Sequence, residues 1–187
     1  MSLTLKRYFR DQAHLSEILL SLPLCSCPFC HMSGTLIRHG YLKETYGENE
    51  YQNHTQGRRV ICNSRRKHRA GCGRSLSIIP ATILRKFCIT AASLWIFLLG
   101  VVRTGSKAKA FRQIPYSMHI SSAYRLWKRF SQAQSRLRSL LSRECPRPKL
   151  PETSCPQTQT VSHLQYVFKY HPCPIAAFQE KFQQSFL

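Results

Sequence analysis

Residues Cys25 to His31 read CSCPFCH, three thiols and an imidazole within seven positions. Donors at that density suggest metal ligation, because two of them on one tight turn can approach a single tetrahedral ion. Cys27-Pro28-Phe29-Cys30 has the spacing of such a turn. A closed site needs a second pair, and Cys62 and Cys72 are the only cysteines between residues 31 and 87. Nine residues, NSRRKHRAG, separate them, where about two to four are usual. Gly73, directly after Cys72, can take the backbone angles a ligand turn requires. The spacing points to Cys27, Cys30, Cys62 and Cys72 as ligands of a structural Zn2+. His68 is an alternative in the second pair, and Cys25 or His31 in the first. Four protein ligands leave no open position for water, so the expected site holds structure and does not catalyse. A thioredoxin-like redox role for Cys27 and Cys30 lacks the flanking strand and helix. The plain alternative is that some of these thiols are small buried apolar residues.

Charge narrows the partner. The chain of 187 residues carries 28 Lys and Arg against 8 Asp and Glu, a net charge of +20. Residues 51–150 hold 21 of the basic residues and one acid, Glu144. A segment that repels itself this strongly is suited to a polyanion, which makes nucleic acid the leading partner over a merely solvated surface or an anionic membrane. The nine cysteines, with no secretory signal in the charged stretch MSLTLKRYFRDQAHLSEILLSL, point to a reducing compartment. The expected location is the cytoplasm, in association with the nucleoid. The 16 uncharged residues Phe87 to Val102 fall short of the roughly 20 that a membrane span needs and read as a buried helix.

The elements that must position these residues follow from periodicity. Residues 3–20 read as a helix with Leu15, Ile18 and Leu19 on one side, closed by Pro23. TLIRHGYL (35–42) and GRRVIC (57–62) read as the two strands of a hairpin around a polar connection. After Pro80 the pattern turns helical, with Leu84, Phe87, Cys88, Ala91, Trp95, Leu98 and Val102 in register. Gly105 and Ser106 stop that helix and cap a short one from Lys107 to about Gln113, which Pro115 ends. A longer helix starts at Ser121 or Ser122, with an apolar stripe of Ala123, Leu126, Trp127, Phe130, Leu137 and Leu140. ECPRPKLPETSCPQTQT reads as a proline-rich linker, and the last stretch is apolar enough to dock at a place the sequence does not reveal.

Three helices in this order, buried, short, then apolar-backed and basic-fronted, fit a helix-turn-helix. On that reading Ser121, Ser122, Tyr124, Arg125 and Lys128 meet base edges, and Lys107, Lys109, Arg112 and Arg129 meet phosphates. Its second turn, IPYSMH, is longer than the compact form and lacks glycine. Any one of these charges alone would read as a solvated helix face; the set carries the expectation. The hairpin adds Arg58, Arg59, Arg65, Arg66, Lys67, Arg69 and Arg74, a surface suited to tracking a nucleic-acid backbone.

CPFC, LIRHGYLKET, RRVIC and CGRSLSIIP, followed directly by helices, resemble the N-terminal DNA-binding region of bacterial insertion-sequence transposases and their short accessory proteins. The resemblance covers about residues 24 to 142 and implies a zinc ribbon before a helix-turn-helix, with ligands at Cys27, Cys30, Cys62 and Cys72. The long gap between the last two departs from the family pattern. Full transposases of this kind cut DNA with clustered carboxylates that hold two metal ions. Here Asp11 is the one aspartate, and no acid lies between Glu50 and Glu144, so no such cluster can form in that span.

The expected fold is therefore small α+β: an N-terminal helix (1–23), a zinc ribbon with a short antiparallel hairpin (24–80), a mainly α-helical helix-turn-helix domain (81–143), a proline-rich linker (144–160) and a C-terminal tail (161–187). The expected function is duplex-DNA binding of transposase or mobile-element type, without catalysis of its own, alongside a separate transposase catalytic subunit and away from membranes. A transcriptional regulator of the same build and an RNA-binding ribonucleoprotein subunit are the alternatives.

Overall fold

A computed structural model of the chain describes residues 3–42, 57–63, 71–84, 87, 89–115, 118–146 and 155–187. Among these, six α-helices and two sheets make a small mixed α+β protein. It divides into two units, Met1–Ala81 and Thr82–Leu187.

The first unit opens with two short strands, β1 (Leu3–Thr4) and β2 (Tyr8–Phe9), where the apolar spacing suggests helix. Helix α1 is confined to Gln12–Ser21, because Asp11 takes the N-cap position and its carboxylate accepts the His14 N–H at 2.8 Å. That bond, helped by Arg10, holds the Asp11 carboxyl below its usual range. Leu15, Ile18 and Leu19 are buried as their spacing implies. A 3₁₀ turn over Leu22–Leu24 leads into β3 (Cys25–Ser26), which pairs parallel with β1.

The expected hairpin is present. β4 (Leu36–Tyr41) runs antiparallel to β5 (Arg58–Cys62), with Leu36 opposite Cys62 and Tyr41 opposite Arg58. The connection between them lies outside the described residues. A further strand, β6 (Ser75–Pro80), pairs antiparallel with β5 and parallel with β2, so the sheet order is β2-β6-β5-β4. Leu76 and Ile78 alternate with Ser75 and Ser77 and are buried beside Phe9, Leu15, Ile18 and Val60. Gly57 precedes β5 where a Cβ would lie 2.7 Å from the Ile78 carbonyl oxygen, so no larger residue fits there without displacing β6.

The second unit is helical. Its first helix, α2 (Ala91–Thr104), starts eleven positions after Pro80, where the Thr90 hydroxyl caps the Ser93 N–H at 3.2 Å. Gly105 ends it in the left-handed conformation at φ 66°, and Ser106 then caps α3 (Lys107–Phe111), as the sequence implies. The turn that follows contains residues outside the described set. Helix α4 (Ser121–Glu144) buries Ala123, Leu126, Phe130 and Leu137, with Trp127 and Leu140 half-buried beside them. No helix among the described residues is long and apolar enough to cross a membrane.

The C-terminal stretch belongs to this core. Helix α5 (Pro156–Val167) begins inside the expected linker, and α6 (Pro174–Phe182) follows it. Phe186 stacks on Phe130 at 6.1 Å and meets Phe178 edge-on at 5.4 Å. Arg136 of α4 donates to the Phe186 carbonyl at 2.9 Å, and Gln179 donates to the Ile83 carbonyl at 2.9 Å, tying the end of the chain to the start of the unit. Lys181 pairs with Glu144 at the end of α4.

Helices α2 and α3 meet at Gly100, where an added Cβ would fall 2.8 Å from the Ala110 Cβ. Alanine favours a helix over glycine by about 1 kcal/mol, but overpacking costs about 1–3 kcal/mol. Gly100→Ala is expected to lower stability by up to about 2 kcal/mol, read by chemical denaturation. A more stable variant would show that the two helices do not meet so closely.

Candidate metal centre

Two short turns bring the expected ligands together. The first, Cys27-Pro28-Phe29-Cys30, follows β3; the second joins β5 to β6 and carries Cys62 and Cys72. Each is built by the same bonds. In the first, Cys27 N–H donates to the Met32 carbonyl at 3.0 Å and His31 N–H to the Cys27 carbonyl at 2.8 Å. In the second, Cys62 N–H donates to the Arg74 carbonyl at 2.9 Å and Gly73 N–H to the Cys62 carbonyl at 3.0 Å. His31 and Gly73 also share a left-handed backbone, at φ 58° and 71°. The turns are therefore related by an internal pseudo-symmetry that the sequence spacing conceals.

That correspondence explains the nine-residue gap. Gly71 N–H donates to the Asn63 carbonyl at 2.8 Å, so the chain leaves at Asn63 and returns at Gly71 beside it. Cys62-Asn63 and Gly71-Cys72 together form a CxxC turn, into which residues 64–70 are inserted. Gly71 takes the place that Phe29 holds in the first turn. A Cβ on Gly71 would lie 2.5 Å from both the Asn63 carbonyl oxygen and the Cys62 sulfur, so the closure requires glycine.

The Sγ atoms of Cys27, Cys30, Cys62 and Cys72 all lie within 4.8 Å of one another. Cys27 and Cys72 are 3.7 Å apart, as are Cys30 and Cys62. Four thiolates about 2.3 Å from a tetrahedral ion stand about 3.8 Å apart, so the cage has the right size for a metal. The same distances are too long for disulfides, whose sulfurs are about 2.05 Å apart. Backbone amides face the sulfurs, as thiolates need: Phe29 N–H lies 3.4 Å from the Cys27 sulfur and Cys72 N–H 3.3 Å from that of Cys62. The buried Thr35 hydroxyl touches the Cys62 sulfur at 3.1 Å.

Electrostatics separates the ligands. Burial pushes the Cys27 thiol up to about 11, while the Met32 N–H holds Cys30 down at about 7. Cys27 and Cys62 are fully enclosed, so if all four sulfurs ionise, a bound cation would offset their charge. Four sulfur donors suit zinc or another thiophilic ion and fill its coordination shell, so the centre can cross-link the chain but offers no open position for a substrate.

The alternative ligands fall elsewhere. Cys25 is buried in the core of the first unit, 3.9 Å from the Ser21 hydroxyl. His31 supplies the left-handed turn residue and stands outside the sulfur cluster. His68 lies outside the described residues. Thr35 and Gly71 are the participants that sequence reasoning missed. Gly71 had a signal in AGCG, with a glycine on each side of Cys72; Thr35 had none.

The expected nucleic-acid contacts are distributed over both units. On the first, Arg59 is exposed and Arg58 lies over the Tyr41 ring at 3.4 Å; Arg65, Arg66, Lys67 and Arg69 lie outside the described residues. On the second, Lys109, Arg112, Ser121, Tyr124, Arg125, Lys128 and Arg129 are exposed, and Ser122 is half-buried with its hydroxyl accepting from Arg125 at 3.4 Å. Lys107 on α3 reaches the rings of Tyr124 and Trp127 on α4, at 5.7 and 5.9 Å, which brings the starts of these helices together. His119, also unforeseen, accepts the Ser121 N–H at 3.3 Å where α4 begins.

The purified chain is expected to hold one tetrahedral metal ion, and cobalt in its place to show the absorption of a four-sulfur site. Gly71→Ala should weaken metal retention about tenfold or more, comparable to loss of a supporting contact around a metal. Equal retention in a chelator competition would contradict the closed CxxC turn.

Compared with known proteins, the chain matches no family model, no curated protein and no solved structure, so its function rests on its own chemistry.

Proposed function

We propose that the chain is a zinc-stabilised duplex-DNA-binding protein of mobile-element type, with no catalytic site of its own. In this reading the four-cysteine centre holds a structural Zn2+ in a ribbon, and α2, α3 and α4 act as a helix-turn-helix. The observation that carries it is the one-sided charge. Residues 51–150 contain 21 basic residues and only Glu144 as an acid, and Glu144 is engaged by Lys181. Lys109 on α3 and Arg125, Lys128 and Arg129 on α4 are exposed to solvent.

Helix α4 supports the reading in its details. Ala123, Leu126 and Phe130 anchor one side in the core, while Tyr124, Arg125, Lys128 and Arg129 project from the other. A helix secured along its back can lie in a major groove without losing its own packing. The contact of Lys107 with Tyr124 and Trp127 keeps a second cation beside the N-terminal turns of α4. Arg125 and Lys128 are suited to guanine edges or nearby phosphates, and Lys109 and Arg112 to the backbone.

Replacing Arg125 and Lys128 together by alanine should lower affinity for the preferred duplex about tenfold or more, with metal content and helicity unchanged. Undiminished binding, measured by fluorescence anisotropy, would remove α4 as the reading element. Sites recovered from a genomic duplex library should cluster at the inverted ends of a mobile element; clustering at promoters would instead indicate a transcriptional regulator.

A further inference from the structure

Two exposed rings on the first unit each carry a guanidinium on one face. Arg58 lies 3.4 Å from the Tyr41 ring centroid, and Arg74 lies 5.1 Å from that of Phe29. Tyr41 is 59% exposed and Phe29 44%, so neither ring is used to fill the core. Stacking on a ring holds the planar guanidinium in place while leaving its N–H donors free to meet a phosphate. Much of each ring remains open to a second planar group.

The strand register sets their separation. Tyr41 and Arg58 are opposed at one end of the β4–β5 ladder, and Leu36 and Cys62 at the other. The Cys62 N–H bonds to the Arg74 carbonyl, which places the second pair at that far end. Four steps of about 3.3 Å along β5 set the two ends of the ladder about 13 Å apart, the length of about four nucleotides in a stacked strand. Arg38, exposed on the edge strand β4, lies between them. The described acids of this unit, Asp11 and Glu17, are both outside the sheet.

We propose that this surface of the metal-bearing unit binds single-stranded nucleic acid. The guanidinium groups of Arg58, Arg74 and Arg38 take phosphates, and the rings of Tyr41 and Phe29 stack on unpaired bases. A duplex keeps its base faces within its own stack, so open rings contribute little to binding it. The inference rests on the reading of the chain as a nucleic-acid-binding protein and adds a second substrate form, on a surface separate from α4.

The test uses the metal-loaded full chain with three probes of equal length: oligothymidylate, oligouridylate and a mixed-sequence duplex. A variant with Tyr41→Leu and Phe29→Leu keeps apolar bulk but removes the stacking faces. It should lose about tenfold or more of its single-strand affinity, while duplex affinity changes less than about twofold and metal content is retained. Tyr41→Trp should preserve or strengthen single-strand binding. Tight binding of oligothymidylate or of oligouridylate supports the proposal and identifies the strand as DNA or RNA. Single-strand affinity that survives ring removal, or falls only in parallel with duplex affinity, overturns it while leaving duplex recognition intact. Failure of the unmodified chain to bind any of the probes would overturn the proposed function itself.

Discussion

The first unit depends on one convergence: four sulfurs drawn from turns that are more than thirty residues apart in sequence. Cys27 and Cys62 belong to the same buried cluster as Phe9, Val60, Leu76 and Ile78, so ligand cage and apolar core are one structure. A unit of this size buries little apolar surface, and small folds commonly need a metal or disulfide to remain closed. The cage also determines where β5 ends and β6 begins, because the second turn joins them. In the proposed function, loss of the zinc would leave enclosed thiolates with no partner for their charge and would release that junction.

The paired turns show how a metal centre can accept an insertion without changing its geometry. Chain exit and return are bonded to each other at Asn63 and Gly71, so the cage registers only the four positions of a CxxC turn. The inserted residues 64–70 are strongly basic in sequence. The second unit has a different organisation. It is organised around an aromatic core in which Phe130, Phe178 and Phe186 meet, which ties α4 to the end of the chain.

Much of the local structure was legible in sequence because its causes are local. The CPFC turn, the two strands of the hairpin, the Gly105–Ser106 stop and start, and the apolar stripe of α4 all follow from nearest-neighbour spacing or capping chemistry. The four clustered cysteines were legible by residue type, but the reason for their odd spacing was not, since it depends on Asn63 and Gly71 meeting. Strand β6 carried a period-two signal in SLSI, yet its pairing with β2 is parallel and long-range. Residues 3–9 were read as helix because strands of two residues are too short to establish a period of their own. In the C-terminal region, Pro156 fell within the stretch read as a linker, yet it stands in the first turn of α5, as Pro174 does in α6, where proline's fixed φ favours a helix. The docking of that region relies on Phe186 reaching Phe130, a contact with no local trace.

In the proposed function, a metal-closed, strongly basic chain grips DNA largely through phosphates. That grip is tested most directly by the affinity of the zinc-loaded chain for a duplex across a series of salt concentrations. The account predicts a steep linear fall of log affinity with log salt, with a slope corresponding to about six or more phosphate contacts. A flat response, or no duplex binding at low salt, would contradict it.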